Sequence, residues 1–172
     1  MSIYTNPWFV VTTLGDPRLW IAVCAVLFLA RAFCKRDSEN KSLSWVKTFI
    51  IFSGVAMLVG VVLSEGAEYY FKVPRPCSTS ENPYCPGGYS FPSTHTTTAF
   101  IVFPGLYLAL KKKKHLWLFA LPPLVGFSRL ALGVHTLYDV IGGGLLGLSV
   151  FLLLYFWVAR NQHLTRLAER LF

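Results

Sequence analysis

Long apolar runs separated by short polar stretches make up most of this 172-residue chain. A helix needs about 20 apolar residues to cross a bilayer, and an open sheet cannot satisfy its backbone groups there. The pattern therefore predicts an all-α integral membrane protein, folded as one helical bundle over residues 1–172 with about five transmembrane helices. The predicted spans are residues 19–33, 46–71, 94–110, 116–132 and 137–158.

Two segments of the pattern depart from a plain span. The second run is purely apolar only to Leu63 and then includes Glu65, Glu68 and Lys72, which predicts a helix that leaves the membrane into a polar region. Residues 1–18 lack a positively charged start, so we expect no cleaved signal peptide there. Within them, the apolar stretch 8–11 predicts a short helix in the membrane interface.

The composition excludes a soluble domain. Hydrophobic residues make up 54% of the chain and charged residues only 14%, whereas soluble domains carry about 25% charged residues. Lys and Arg number 16 against 8 Asp and Glu. These basic residues lie in short clusters between apolar runs and not along one folded face, so no nucleic-acid partner is expected.

The basic clusters also predict an orientation. With about five spans, the clusters within 31–47, 111–114 and 160–170 fall on one side, which identifies that side as cytoplasmic. We expect a multi-pass cell-membrane protein with its N-terminus outside, its C-terminus in the cytoplasm and the loop 72–93 on the outer face. The lysine run 111–114 is interpreted as a topology anchor and not as a lipid-headgroup site.

Polar residues gather at the predicted span ends on the outer side, where they are costly unless they pair or act. His135 and Asp139 are four residues apart, so on one helix face the carboxylate accepts from the imidazole and leaves the other ring nitrogen as a nucleophile or base. Ser128 and Arg129 end the preceding span, and the Arg129 guanidinium matches the geometry of phosphate oxygens.

A second group of polar residues precedes the third span. The sequence Pro92-Ser93-Thr94 is typical of a helix start, with Ser93 or Thr94 as the cap and free N–H groups that attract an anion. His95 follows in the first turn, and Arg75 lies between two prolines upstream. Together these residues predict a phosphate site with a nucleophile and an acid, and no metal-ligand set is evident.

The order Arg75-Pro76, Pro92-Ser93-Thr94-His95 and Ser128-Arg129 followed by His135 and Asp139 resembles the three motifs of the type 2 phosphatidic acid phosphatase (PAP2) superfamily of membrane lipid phosphatases. This resemblance implies that His135 attacks phosphorus to form a phosphohistidine while Asp139 orients it, and that His95 acts as general acid and base. It implies that phosphate is held without metal or cofactor; the implied holders are Arg75, Arg129, Ser93, Thr94, Ser128 and Lys72.

Two positions depart from the motifs of that superfamily. Its first motif usually has Lys seven residues before the Arg, where this chain has Glu68. Lys72 lies one helical turn beyond Glu68 and either supplies the missing charge or pairs with Glu68 at i,i+4. Thr94 stands where Gly is commonest, although its backbone N–H remains available.

The resemblance implies an amphiphilic lipid phosphate as the substrate: undecaprenyl diphosphate, phosphatidylglycerol phosphate, phosphatidate or lipid A 1-phosphate. Two alternatives stay open. A lipid-to-lipid phosphotransferase would use every residue named above. A non-catalytic lipid or anion transporter would use only for binding the basic cup that is formed by Arg75, Arg129 and the helix start at Ser93-Thr94. The sequence indicates no particular oligomeric state.

Cysteines and glycines complete the expectations. Cys77 and Cys85 lie in the outer loop, so we expect a disulfide between them if that side is oxidising, whereas Cys24 and Cys34 are expected to be free thiols. The glycines at 142–144 and 147 lie inside an apolar span, which favours close helix packing over a phosphate-binding loop.

Overall fold

The computed structural model describes residues 6–33, 44–110 and 112–160, and the regular structure in these ranges is helical throughout. The predicted all-α class is confirmed for these residues. The helices are α1 Pro7–Thr13, α2 Pro17–Phe33, α3 Ser44–Phe71, α4 Thr94–Leu110, a 3₁₀ helix Lys113–Ala120, α5 Leu121–Ala131 and α6 Leu137–Arg160.

The N-terminal segment folds into two helices, α1 and α2, that are joined by a short turn. Asn6 caps α1 by accepting a hydrogen bond from the backbone N–H of Trp8, and Pro7 occupies the first helical position, where its missing N–H costs nothing. α1 packs against α5, with the rings of Trp8 and Phe127 5.1 Å apart. A short helix in this segment is thus confirmed, and its place in the membrane interface stays a prediction.

Helix α4 forms the centre of the bundle and packs against α3, α5 and α6. Most of its side chains are buried, whereas α3 and α6 expose large apolar side chains on their outer surfaces. Gly143 and Gly147 of α6 lie directly against the backbone of α4 at Ser93 and Thr97, so no Cβ fits at either position. The predicted packing role of these glycines is confirmed.

The predicted span 116–132 is broken in the structure. Its first part is the 3₁₀ helix, and a regular α-helix begins only at Leu121. Pro122 and Pro123 follow directly, and because proline lacks a backbone N–H it is tolerated in the first turn of a helix but not further inside. The two prolines therefore restart the helix in the middle of the apolar run.

Among the described residues, two helices are long and apolar enough to cross a membrane, Phe49–Phe71 and Leu137–Val158. A third candidate is the bent pair Pro7–Thr13 and Pro17–Ala30, whose axes differ by 51°. These spans and their exposed apolar surfaces identify a membrane protein. The expected number of about five spans is not confirmed, because α4 and α5 are shorter than a full span.

The outer loop joins the end of α3 to the start of α4. A disulfide connects Cys77 with Cys85, and the Cys77 side chain is buried against Leu132 and Val134. The side chain of Asn82 donates to the carbonyl of Leu132 at 2.8 Å, which ties the loop to the end of α5. Cys24 is a free thiol, whereas Cys34 lies outside the described residues.

Candidate active site

The predicted site residues come from segments far apart in the chain that meet at one end of the bundle. This end holds the last turn of α3 with the outer loop, the first turn of α4, the last turn of α5 and the first turn of α6. Because α3 runs towards this end, α4 away from it, α5 towards it and α6 away from it, the three predicted motifs come together there. The turn between α1 and α2 lies against the same end.

His135 is buried, and both of its ring nitrogens have partners. Nδ1 lies 2.9 Å from the carbonyl oxygen of Ser90, and Nε2 lies 2.9 Å from a terminal nitrogen of Arg75. A carbonyl only accepts and a guanidinium only donates, so Nδ1 carries the hydrogen and Nε2 carries the lone pair. Burial lowers the pKa of His135, an effect that Arg129 and Arg75 reinforce and Asp139 partly offsets. The imidazole is therefore neutral at pH 7, with its lone pair on Nε2.

Asp139 is almost fully buried beside this imidazole, and its Oδ2 is 3.6 Å from Nδ1 of His135. The same oxygen accepts a hydrogen bond of 2.6 Å from the backbone N–H of Thr136, and the Thr136 hydroxyl accepts from the N–H of Asp139. This reciprocal pair is a capping box at the start of α6. The carboxylate therefore supports the imidazole electrostatically, while the Ser90 carbonyl takes the hydrogen bond.

Arg75 lies between a histidine and a glutamate. One terminal nitrogen donates to His135, and the other is 3.7 Å from Oε2 of Glu68. Its side chain is only 8% exposed, and its Nε–H has no hydrogen-bond partner among the residues that the structure describes. Burial lowers the pKa of Arg75, and the carboxylates of Glu68 and Asp139 partly offset this effect.

Arg129 provides a second buried guanidinium, in the last turn of α5. One terminal nitrogen donates to the hydroxyl of Thr12 at 2.8 Å, and its Nε–H has no partner among the described residues. Arg75 and Arg129 are close enough to repel each other electrostatically. Glu68 lies beside Arg75 and the charge of Asp16 acts on Arg129, yet the Nε–H of each guanidinium has no acceptor among the described residues, so the cup offers two buried donors to an anion.

The start of α4 forms another wall of the cup. Ser93 accepts the first helical hydrogen bond through its carbonyl and donates its own N–H to the carbonyl of Asp139 at 3.0 Å. The N–H groups of the first turn, beginning at Thr94, have no intrahelical acceptors and favour an anion. His95 lies in this turn, within electrostatic reach of Arg75, Arg129 and His135.

The sequence profile of the PAP2 superfamily matches residues 49–163, which contain all three motifs. This chain belongs to the PAP2 superfamily. It is 31% identical over 140 residues to an undecaprenyl-diphosphatase of Sulfolobus acidocaldarius, and the match covers 77% of this chain and 60% of that protein. It is 41% identical over 75 residues to phosphatidylglycerophosphatase B of Bacillus subtilis, covering 38% of this chain and 37% of that protein. The chain thus spans less than two thirds of either relative's length.

A solved structure supports the fold. The crystal structure of a transmembrane PAP2-type phosphatidylglycerolphosphate phosphatase from Bacillus subtilis superposes with a TM-score of 0.70 at 22% identity. The alignment covers 91% of this chain and 80% of the other. The helical arrangement described above is therefore a PAP2 fold.

Three of the residues predicted to hold phosphate have other contacts through their hydroxyl groups. The Ser128 hydroxyl donates to the carbonyl of Val125 at 2.6 Å, so its hydrogen is used within α5. The Thr94 hydroxyl donates to Glu68 at 3.1 Å and contacts the Ser64 hydroxyl at 2.9 Å. Ser93 accepts from the Thr96 hydroxyl. Phosphate binding by these hydroxyls stays a prediction.

The first PAP2 motif is altered at Glu68, and the structure shows how that carboxylate is used. Glu68 pairs with Arg75 and accepts from Thr94, whereas no ion pair joins it to Lys72 in the described part of the chain. Lys72 is exposed and has a φ of 50°, which ends α3 in the left-handed region. Of the two alternatives for Lys72, the i,i+4 pair is therefore absent, and phosphate binding stays a prediction.

Sequence reasoning missed three residues of this site. Ser90 acts through its backbone carbonyl, which leaves no signal in the sequence. Thr136 was recognisable, because Thr136-Leu-Tyr-Asp139 has the spacing of a capping box. Thr12 is 117 positions from its partner Arg129, so only the tertiary fold brings them together.

Proposed function

We propose that this chain is a membrane lipid phosphatase that hydrolyses a phosphomonoester or diphosphate of an amphiphilic lipid through a phosphohistidine intermediate. The observation that carries the proposal is the pair of buried guanidiniums beside a neutral histidine, each with an Nε–H that has no partner among the described residues. A phosphoryl group supplies charged acceptors for these donors. The names of the two curated relatives support lipid phosphates as the substrate class.

In the first step, Arg75 exchanges its hydrogen bond to His135 for one to a phosphoryl oxygen of the substrate. In the structure, Arg75 donates to Nε2 of His135 and so occupies the lone pair of the proposed nucleophile. A phosphoryl oxygen is a stronger acceptor for this donor because it is charged. When Arg75 turns to the substrate, Nε2 is released and attacks phosphorus in line with the leaving oxygen.

In the next step, the attack of Nε2 on phosphorus is accompanied by proton transfer to the leaving oxygen. The new N–P bond forms as the P–O bond to the leaving group breaks. Burial and the charge of Arg129 lower the pKa of His95, so His95 takes up a proton only together with the negative phosphoryl group and passes that proton to the leaving oxygen. The Ser90 carbonyl and Asp139 stabilise the positive imidazole ring of the phosphohistidine. His95, now neutral, takes a proton from water, which attacks phosphorus and regenerates Nε2.

The substrate class includes the four lipids expected from the sequence: undecaprenyl diphosphate, phosphatidylglycerol phosphate, phosphatidate and lipid A 1-phosphate. A site at the end of a membrane bundle favours substrates already concentrated in the bilayer. The basic clusters support an orientation with this site on the outer face of the cell membrane. No nucleic acid, metal or cofactor is part of the proposal.

The decisive experiment measures phosphate release from these four lipids by protein purified in detergent, with and without excess chelator. We expect release by the unaltered protein in both conditions and a loss of at least about 1,000-fold in His135→Ala. His115→Ala, which changes a histidine of the 3₁₀ helix before α5, is the matched control and retains activity.

Three outcomes would contradict the proposal. Equal release by His135→Ala excludes histidine as the nucleophile. Transfer of phosphate to a second lipid in place of release identifies a phosphotransferase. Binding of all four lipids without turnover favours the transporter alternative.

A further inference from the structure

We propose that the N-terminal segment, which precedes the residues matched by the PAP2 profile, completes the phosphate site by positioning Arg129 through Thr12. This inference rests on the proposed function, since it assigns a role in holding the phosphoryl group. The profile match begins at residue 49, so neither Thr12 nor the turn after it belongs to the matched region.

The contact between Thr12 and Arg129 is buried on both sides. Thr12 is 4% exposed and Arg129 is 6% exposed, and the hydrogen bond between them measures 2.8 Å. The Nε–H of Arg129 has no partner in the described ranges, and within them the Thr12 hydroxyl is the side-chain acceptor of the Arg129 guanidinium. The hydrogen bond to Thr12 holds one edge of the Arg129 guanidinium, and we infer that it directs the remaining donors of Arg129 towards the cup.

The turn after Thr12 is locked onto the catalytic end of the bundle. A Cβ on Gly15 would lie 2.7 Å from the carbonyl oxygen of His95 and 2.6 Å from a methyl group of Val125. The Gly15 N–H donates to the carbonyl of Thr12, and the indole of Trp20 donates to the carbonyl of Leu14 at 2.7 Å. The turn therefore touches His95 directly and fixes the position of Thr12 relative to α5.

Removing the hydroxyl has a defined physical effect. Thr12→Val keeps the shape of the side chain but removes the acceptor, so a charged donor of Arg129 is left buried and unpaired. Arg129 then loses its fixed orientation, and its interaction with the phosphoryl group weakens because ordering the side chain must accompany binding.

The experiment compares Thr12→Val with Thr12→Ser and Thr13→Val. Thr13 is exposed and its hydroxyl only donates to the carbonyl of Val10, which makes it the matched control in the same helix. We expect kcat/KM for phosphate release to fall about tenfold in Thr12→Val. Thr12→Ser restores the value, and Thr13→Val leaves it unchanged.

A second readout does not depend on turnover. Orthovanadate, a phosphoryl analogue, is expected to raise the thermal midpoint of the unaltered protein and of Thr12→Ser, and to raise that of Thr12→Val much less. Gly15→Ala is expected to resemble Thr12→Val, because the turn must shift away from His95.

The outcomes separate this inference from the proposed function. An active protein in which Thr12→Val matches the unaltered kcat/KM and vanadate response overturns the inference alone. A protein that hydrolyses no lipid, yet shows a vanadate response lost in Thr12→Val, overturns the proposed function alone. The absence of any vanadate response and of activity overturns both.

Discussion

His135 is held at both ring nitrogens by groups with only one possible hydrogen-bonding direction. The Ser90 carbonyl receives the hydrogen on Nδ1, and Arg75 donates to Nε2. The imidazole therefore has one tautomer, and the lone pair of Nε2, the proposed nucleophile, accepts from the same guanidinium that we propose to bind phosphate. Glu68 holds the other side of that guanidinium, so its presence in the first motif has a structural use.

The pH dependence of kcat/KM tests this description of His135. Because burial lowers its pKa below the usual 6.5, we expect the acid limb of the profile to lie below that value, where the ring becomes protonated and loses its lone pair. Asp139 raises the pKa of His135, so Asp139→Asn is expected to move this acid limb to lower pH while reducing kcat. The ionisation of the substrate is common to both proteins, so an unmoved limb would argue against His135 as the titrating group.

Lys72 carries backbone strain at the end of α3. Its φ of 50° is unfavourable for a residue with a side chain, whereas glycine adopts it freely. We expect Lys72→Gly to raise the free energy of unfolding by about 0.5 to 1 kcal/mol, after allowing for the greater chain entropy of glycine. Lys72→Ala keeps the strain and serves as the control. A stabilisation of equal size in both variants would trace the effect to the charge instead of the backbone.

At the scale of secondary-structure elements, the site depends on how closely α6 approaches α4. Gly143 places the α6 backbone against Ser93, and the Ser93 N–H reaches the carbonyl of Asp139 at 3.0 Å. The first turns of the two helices are thereby joined, which brings the start of α4 beside His135 and Asp139. The four glycines of α6 were expected to serve packing, and this approach is the reason that small residues are needed.

Gly143→Ala tests whether the site depends on the close contact between α6 and α4. Its Cβ would lie 2.5 Å from the carbonyl oxygen of Ser93, so the two helices must separate. We expect a loss of about 1 to 3 kcal/mol in the free energy of unfolding and a lower kcat. Gly54→Ala in α3 is the matched control, because nothing lies within 4 Å of its Cβ, and it is expected to stabilise α3 by about 0.5 to 1 kcal/mol. Equal thermal midpoints for the two variants in detergent would refute the packing argument.

At the scale of the whole molecule, the basic and polar residues divide between the two ends of the bundle. The described lysines 112–114 are exposed at the end opposite to the candidate site, and the outer loop closes the site end. The basic residues at 31–47, at 111 and beyond Arg160 lie outside the ranges whose side chains are described. The orientation of the chain in the membrane stays a prediction from the charge pattern.

Labelling of intact cells tests that orientation. Tyr70→Cys introduces a thiol at a side chain that is 81% exposed near the site, and Lys113→Cys introduces one at the opposite end. A membrane-impermeant maleimide is expected to label the first variant in intact cells and the second only after the cells are broken. Labelling in the reverse order would place the site in the cytoplasm.

The sequence alone determined where the membrane helices lie and which residues are candidates for the site. It could do so because the lipid solvent and helix geometry act on short stretches of neighbouring residues. The apolar runs predicted the bounds of α4 and α6 to within a few residues, and motif spacing predicted that Arg75, His95, Arg129, His135 and Asp139 lie together. Only the tertiary structure decided that Ser90 receives the hydrogen of His135, that Glu68 pairs with Arg75, and that Thr12 holds Arg129. These contacts join backbone groups or distant helices, and no local pattern of residues encodes which groups meet when helices pack.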